Sequence, residues 1–325
     1  MDNRILKEES FGIQRKMVAA MTKESWETTP HVTFIYEPDV SRFFDEYKKI
    51  NFGRSKDEKI TFNTLMLKAI TEGIKAAPIM NSHIDYNPSL VRGKVKTFEN
   101  INISMATILP SGEMMTVNCR DFDKKDLDEM TTYIKDIRKR AEQSDLNQTL
   151  YTTSFNRTVN TIKDGKIIEA TLRIIGAKTG KNRIKTLKGK AKRAYNAIPE
   201  TERLGNKDIE QGTITVSNIG SLDINQRGTV ALLEIIPPQV CAIAIGAVQK
   251  RPVVETSKQG EDIIKVGKIL PICIAFDHRA LDFGDIVPFT KKLDEIFNNP
   301  EIIHEWTKRE TFHLETIKHP TNFSA

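Results

Sequence analysis

The segment ILPICIAFDHRALDFG, Ile269 to Gly284, joins an apolar run to a histidine flanked by charges. Ile269 to Phe276 carries no charged side chain and reads as a buried strand. At Asp277 the chemistry changes: Asp277-His278-Arg279 is followed by Ala280-Leu281 and then by turn residues at Asp282, Phe283 and Gly284. A histidine at the end of a buried strand can be held rigidly at a cleft edge. Imidazole, which ordinarily titrates near neutrality, suits general-base work there. The four-residue step from His278 to Asp282 lets a tight turn bring a carboxylate back toward the ring. Taken alone, a histidine between an aspartate and an arginine is more often a satisfied structural residue, so at this point both readings stand.

Working outward, the second half is rich in strand patterns: Thr213 to Val216, Thr229 to Leu233 and Val240 to Val248 precede Ile269 to Phe276. Ile286, Phe289, Leu293, Ile296 and Phe297 then form a helical stripe. In the first half, Ile13, Met17 and Met21 share a helical face after Ser10, a candidate cap, and His31 to Tyr36 reads as a strand. Thr61 to Ala77 is a core-packed helix with Phe62, Leu65, Met66, Ala69 and Ile70 on one side, ended by Pro78. Ile101 to Leu109 and Met114 to Asn118 read as a hairpin turning at Pro110-Ser111-Gly112. Leu127, Met130, Ile134, Ile137 and Ala141 mark a long amphipathic helix. Long helices with a strand-rich second half predict an α/β sandwich around one large mixed sheet.

The 325 residues suffice for one large domain or two small ones, and 39% apolar with 28% charged residues argues against disorder. A net charge of +6 is too modest to argue for nucleic acid. No run approaches the ~20 apolar residues of a membrane span, and no signal-peptide pattern opens the chain. Cys119, Cys241 and Cys273 form no CxxC pair, which makes a reducing, cytoplasmic setting the expectation. Cys241 and Cys273 sit in apolar runs and are expected to be inert core, and no metal-ligand spacing is visible. His31 is expected to be structural or to line a channel. His83, His304, His313 and His319 are expected at the surface.

A second segment raises the weight of the first. Gly212-Thr213-Ile214-Thr215-Val216-Ser217-Asn218-Ile219-Gly220-Ser221 is followed by Pro237-Pro238-Gln239-Val240-Cys241-Ala242-Ile243-Ala244-Ile245-Gly246. With the downstream DHRALD, these resemble the catalytic domain of the dihydrolipoyl acyltransferases of 2-oxoacid dehydrogenase complexes, and the HxxxDG element is shared with chloramphenicol acetyltransferase. Gln14-Arg15-Lys16-Met17, Thr29-Pro30-His31, Val117 to Leu127 and Asn299-Pro300-Glu301 resemble further family motifs in the same order. The resemblance covers roughly residues 10–303.

That resemblance implies a chloramphenicol acetyltransferase-like, two-layer fold that forms trimers. It implies His278 as the base that deprotonates a thiol, Ser217 as the hydroxyl that stabilises the oxyanion, and Asp282 as a carboxylate bracing the loop. Arg15 is then the partner of Asp282, and Asn218 orders the loop beside Ser217. No cofactor is held tightly; CoA or acyl-CoA is substrate, and a lipoyl group, if one is used, is supplied in trans, since no lipoyl or subunit-binding segment is read in this chain. The partners implied are a homotrimer, with further assembly left open, and an acidic lipoyl or acyl-carrier domain. Residues 1–303 are expected to be the catalytic domain and 304–325 a polar tail.

Two features depart from the family pattern. Phe283 stands where the family has glycine, and if that position needs a positive φ the turn differs and the brace role of Asp282 weakens. Residues 145–206 form an insertion with eight basic residues between Lys178 and Arg193 (Lys178, Lys181, Arg183, Lys185, Lys188, Lys190, Lys192, Arg193). It is read either as a solvated surface or as a dock for an acidic carrier or CoA phosphates. Only Tyr195 interleaves the cations, which argues against nucleic acid. Gly176 to Lys181 is one residue short of a phosphate loop and is rejected as one. The leading function is CoA-dependent acyl transfer to a thiol. A catalytically silent trimeric core protein and an acetyltransferase for a small hydroxyl or amine are the alternatives.

Overall fold

The computed structural model describes residues 4–108, 114–152, 183–184, 186–257 and 259–308, with positions 167, 171, 172, 174, 175 and 179. Its centre is a six-stranded mixed sheet of order β1-β10-β7-β6-β4-β5. The strands are β1 (His31–Tyr36), β4 (Ile103–Ile108), β5 (Met114–Cys119), β6 (Ile214–Asn218), β7 (Cys241–Ile245) and β10 (Ile272–Asp277). β4, β6 and β7 run parallel to one another, whereas β10 is antiparallel to β7, and β1 and β5 are antiparallel to their neighbours. Two hairpins, β2 (Ser82–Asn87) with β3 (Arg92–Thr97) and β8 (Gln249–Thr256) with β9 (Asp262–Ile269), stand outside this sheet. The expected α/β sandwich on a large mixed sheet is present.

Strand alternation gives the sheet two chemically different faces. Ile103, Met105, Ile214, Val216, Ile243, Ile245, Ile272, Ile274 and Phe276 belong to the main core. That side is covered by α2 (Ser41–Ile50), α3 (Phe62–Ala76), α4 (Leu127–Glu142) and α7 (Phe283–Asn298), whose apolar stripes are buried. Thr61 caps α3 by accepting from Thr64 N–H at 3.0 Å. Gly73 lets α3 approach α7, since a Cβ there would lie 2.7 Å from the Phe289 ring. The other face presents Ser104, Thr215, Ser217, Ala242, Ala244 and Ala275, alternating with the core residues. It is crossed by α1 (Ile13–Thr28) and the chain at 229–236.

Several expectations require correction. α1 starts after Gly12 and has no side-chain cap, so Ser10 does not cap it. Thr229 to Leu233 is not a ladder strand. It runs irregularly, and its alternation lays Leu233 and then Ile235 on Ala242 and Ala275 while Leu232 faces out. His304 is not a surface residue of a tail: its Nε2 lies 2.9 Å from Glu46, and residues Pro300–Trp306 form a 3-10 helix packed on α2. His83 is half-buried, stacked edge-on against Phe98. The turn at 110–112, His313, His319, most of residues 153–182 and the tail beyond 308 lie outside the described residues. So do Lys178, Lys181 and Lys185. The remaining cations Arg183, Lys188, Lys190, Lys192 and Arg193 are exposed, the last four on or beside α5 (Gly189–Ala197), which the short α6 (Asn206–Ile209) follows. Tyr195 is buried among them, bonded to Thr149 at 3.0 Å under the Arg203 guanidinium.

Gly220 fixes the chain just after Ser217. A Cβ there would stand 2.4 Å from the Gly246 carbonyl oxygen, a backbone atom that cannot yield. Gly220→Ala should therefore destabilise by about 1–3 kcal/mol. Gly284→Ala, with nothing within 4 Å of its Cβ and a helical position, should be neutral or stabilising by up to ~1 kcal/mol. Urea unfolding of both variants checks the contrast.

Candidate active site

The loop after β10 is built around a buried charge. The Asp277 carboxylate has no solvent exposure and is gripped by Arg279, which donates from Nη2 at 2.6 Å and Nε at 3.0 Å. The Ala280 and Leu281 N–H groups donate to the Asp277 carbonyl at 2.9 and 3.0 Å, closing a tight turn. His278 N–H donates to Pro30 O at 3.1 Å, tying this turn to the start of β1. The turn returns Leu281 O to 3.1 Å from His278 Nδ1 and Asp282 Oδ1 to 3.3 Å from the same nitrogen. With acceptors at Nδ1, the proton belongs there and the lone pair sits on Nε2, the form a general base needs. The His278 side chain is 54% exposed and Asp282 82% exposed. At that exposure a carboxylate contributes weakly, and the Leu281 carbonyl is the firmer constraint on the ring.

Phe283 does not distort the turn. It is the first residue of α7, and among the described non-glycine residues only Val91 and Asp121 have positive φ. Its ring packs edge-on against Phe34 with centroids 4.9 Å apart. Asp282 N–H donates to Asp285 Oδ2 at 2.8 Å, which starts the helix and leaves the Asp282 carboxylate near His278. Arg15 is exposed on α1 and makes no ion pair with Asp282 within this chain. His31 has a structural role: its Nε2 accepts from Ile235 N–H at 3.1 Å and lies 3.2 Å from Ser25 Oγ.

Ser217 lies half-buried near the end of β6 on the small-residue face. Asn218 follows and orders the exit: its Oδ1 accepts from Ser221 N–H at 2.9 Å and its Nδ2 donates to Asn63 Oδ1 at 2.8 Å. The Asn63 contact spans 155 residues and has no signal in the sequence. Nor was the Asp277–Arg279 pair singled out, although its two-residue spacing beside a histidine was visible.

His278 and Ser217 do not meet in one chain. Ser217 is level with Ala244 on β7, which pairs with Cys273 on β10. His278 lies five residues beyond Cys273, where Asp277 N–H bonds Val240 O ahead of β7. At ~3.3 Å per residue and ~4.8 Å per strand, the two side chains are roughly 16 Å apart along the strands and about 10 Å apart across them.

The fold built on this mixed sheet is that of dihydrolipoamide acetyltransferase cores. The Azotobacter vinelandii dihydrolipoamide acetyltransferase superposes with a TM-score of 0.62 at 18% identity, over 92% of this chain and 94% of that one. The cubic core of the pyruvate dehydrogenase multienzyme complex gives 0.60 at 17%, over 92% and 94%. In sequence, the acetyltransferase component of the pyruvate dehydrogenase complex of Rickettsia bellii (strain RML369-C) is 21% identical over 90% of this chain and 53% of its own length. The mitochondrial component of Schizosaccharomyces pombe is 23% identical over 88% and 44%. The chain thus spans about half the length of these sequence relatives. The family model for 2-oxoacid dehydrogenases acyltransferase (catalytic domain) matches residues 6–160 and 178–304, and the chain belongs to that family. No described helix is long and apolar enough to cross a membrane.

Arg279→Ala would leave the Asp277 charge buried and unpaired, and should cost about 3–5 kcal/mol of stability. Asp277→Asn combined with Arg279→Met should recover most of that loss. Denaturant midpoints of the single and double variants read the outcome.

Proposed function

We propose that this chain transfers an acyl group between CoA and a thiol such as dihydrolipoamide, at sites shared between neighbouring chains of a homotrimer. The observation that carries this reading is a histidine whose Nδ1 faces the Leu281 carbonyl and a serine on β6, held by one sheet at opposite ends. A head-to-tail ring repeats one contact, so a contact between the His278 end of one chain and the Ser217 end of the next would complete a site at every interface. A cubic core, as in one structural neighbour, contains threefold axes.

His278 Nε2 takes the proton of the acceptor thiol as its sulfur attacks the thioester carbonyl carbon. The Ser217 hydroxyl of the adjoining chain donates to the oxygen that becomes negative. Collapse of the tetrahedral species breaks the bond to the donor sulfur, and the imidazolium returns its proton to that leaving thiolate. No acyl-enzyme forms, so bringing both substrates to one imidazole carries much of the rate. Asp282 and the Leu281 carbonyl hold the ring and stabilise the transient imidazolium. Among solved relatives, the Azotobacter acetyltransferase was investigated for catalytic roles of a serine, a histidine and an asparagine, the last four positions after the histidine. Asp282 stands at that spacing from His278.

Phe283, in place of the family glycine, is an ordinary first helical residue and leaves the turn that carries His278 undisturbed. Transfer from acetyl-CoA to dihydrolipoamide tests the proposal. His278→Ala should lower kcat by about 10²-fold or more with the assembly intact. Ser217→Ala should lower kcat by roughly 10²-fold with little change in KM for CoA. Equal turnover in wild type and His278→Ala contradicts the mechanism.

A further inference from the structure

Between α1 and the small-residue face of the sheet lies a cavity of about 300 Å³. Met17, Met21 and Ile236 form apolar parts of its wall, and Thr215 and Thr116 lie on its sheet side. Its position relative to Ser217 follows from register. Thr215 precedes Ser217 by two residues on β6 and shares its face, about 7 Å away. Across the sheet, Met105 is level with Val216, so Ala106 and Ser217 follow at the next level, and Ala106 pairs with Thr116 on β5. The cavity therefore flanks Ser217 on two sides, along its own strand and across β4.

The charge of the wall is one-sided. Among the described residues no lysine, arginine or histidine lines the cavity, and Glu234 is the one ionisable side chain of its wall. The Glu234 carboxylate is held by Thr22 Oγ1 at 3.0 Å and Trp26 Nε1 at 3.2 Å, neutral donors that leave its charge uncompensated. An aliphatic chain gains from such a wall, and methionines adapt to chains of different shape. A terminal carboxylate would meet Glu234 with no cation among the described lining residues to balance it.

Resting on the acyltransferase reading above, we propose that this cavity is the acyl-chain pocket, and that it selects an uncharged aliphatic acyl group longer than acetyl over acetyl itself and over dicarboxylic acyl groups. If the thioester carbonyl sits at the Ser217 hydroxyl, the chain beyond it enters the space beside Thr215 and Thr116. The volume is about twice that of an apolar cavity able to hold benzene, which suits a chain of about four to eight carbons.

The test is a series of acetyl-, butyryl-, hexanoyl- and succinyl-CoA with dihydrolipoamide. Each buried methylene should raise kcat/KM roughly fourfold, so that butyryl exceeds acetyl by about fifteenfold and succinyl is the poorest of the series. Met21→Trp, which fills the cavity, should cut the hexanoyl-to-acetyl ratio about tenfold or more. A binding measurement that needs no turnover, calorimetry of His278→Ala, should show hexanoyl-CoA held on the order of 10²-fold more tightly than acetyl-CoA. Acetyl or succinyl transfer equal to or better than butyryl overturns the pocket while leaving the transferase reading in place. Transfer of none of the four by the wild type overturns the transferase reading, and equal affinity for hexanoyl- and acetyl-CoA then overturns the pocket as well.

Discussion

β7 is hydrogen-bonded in parallel to β6 on one side and antiparallel to β10 on the other, and the placement of both chemically informative side chains follows from that. Two strands that end in functional residues would bring them together if they ran the same way. Here they run opposite ways, so Ser217 and His278 emerge at opposite ends of one sheet. Flexing a loop by a few ångströms cannot close a gap of roughly 16 Å along the strands. A site that needs both groups must take them from two chains.

The histidine end shows how unequal charges contribute to positioning. Asp277 and Arg279 form a pair that is costly to disrupt because the carboxylate is wholly buried, and the turn carrying His278 is folded over it. Asp282 reaches the same imidazole nitrogen but stands in solvent, where its charge is screened. Rigidity in this loop therefore comes from Asp277, Arg279 and the Leu281 carbonyl. Asp282 adds to the electrostatics of an already fixed ring. The serine end is held differently, by the side-chain amide of Asn218 and the close backbone contact at Gly220.

Much of this was legible in the sequence where periodicity reported burial on one side. β1 and α3 fall where their patterns place them, with bounds that differ by at most a residue. The apolar stripe of α7 does too, although that helix begins earlier, at Phe283. The run Thr229 to Leu233 misled because alternation states only that every second side chain is covered. It does not state that the backbone is paired, and there the chain lies across the sheet face. The β8–β9 hairpin went unread for the converse reason: Val254, Ile263, Ile264 and Val266 are apolar yet exposed, so neither face gives a clean pattern. The histidine segment was readable because its constraint is local. The Arg15–Asp282 pairing implied by resemblance is absent within the chain, and the Asn63–Asn218 contact was invisible, because both depend on tertiary placement.

The central claim is that one catalytic site draws His278 and Ser217 from different chains. It is tested most directly by co-expressing His278→Ala and Ser217→Ala chains and measuring acyl transfer in the mixed assemblies. Each variant alone should be nearly inactive. Random mixing leaves both groups intact at about one interface in four, so activity should return to about a quarter of the wild-type value. Mixed assemblies no more active than the separate variants would contradict the account, because they would place both residues in a site made by one chain.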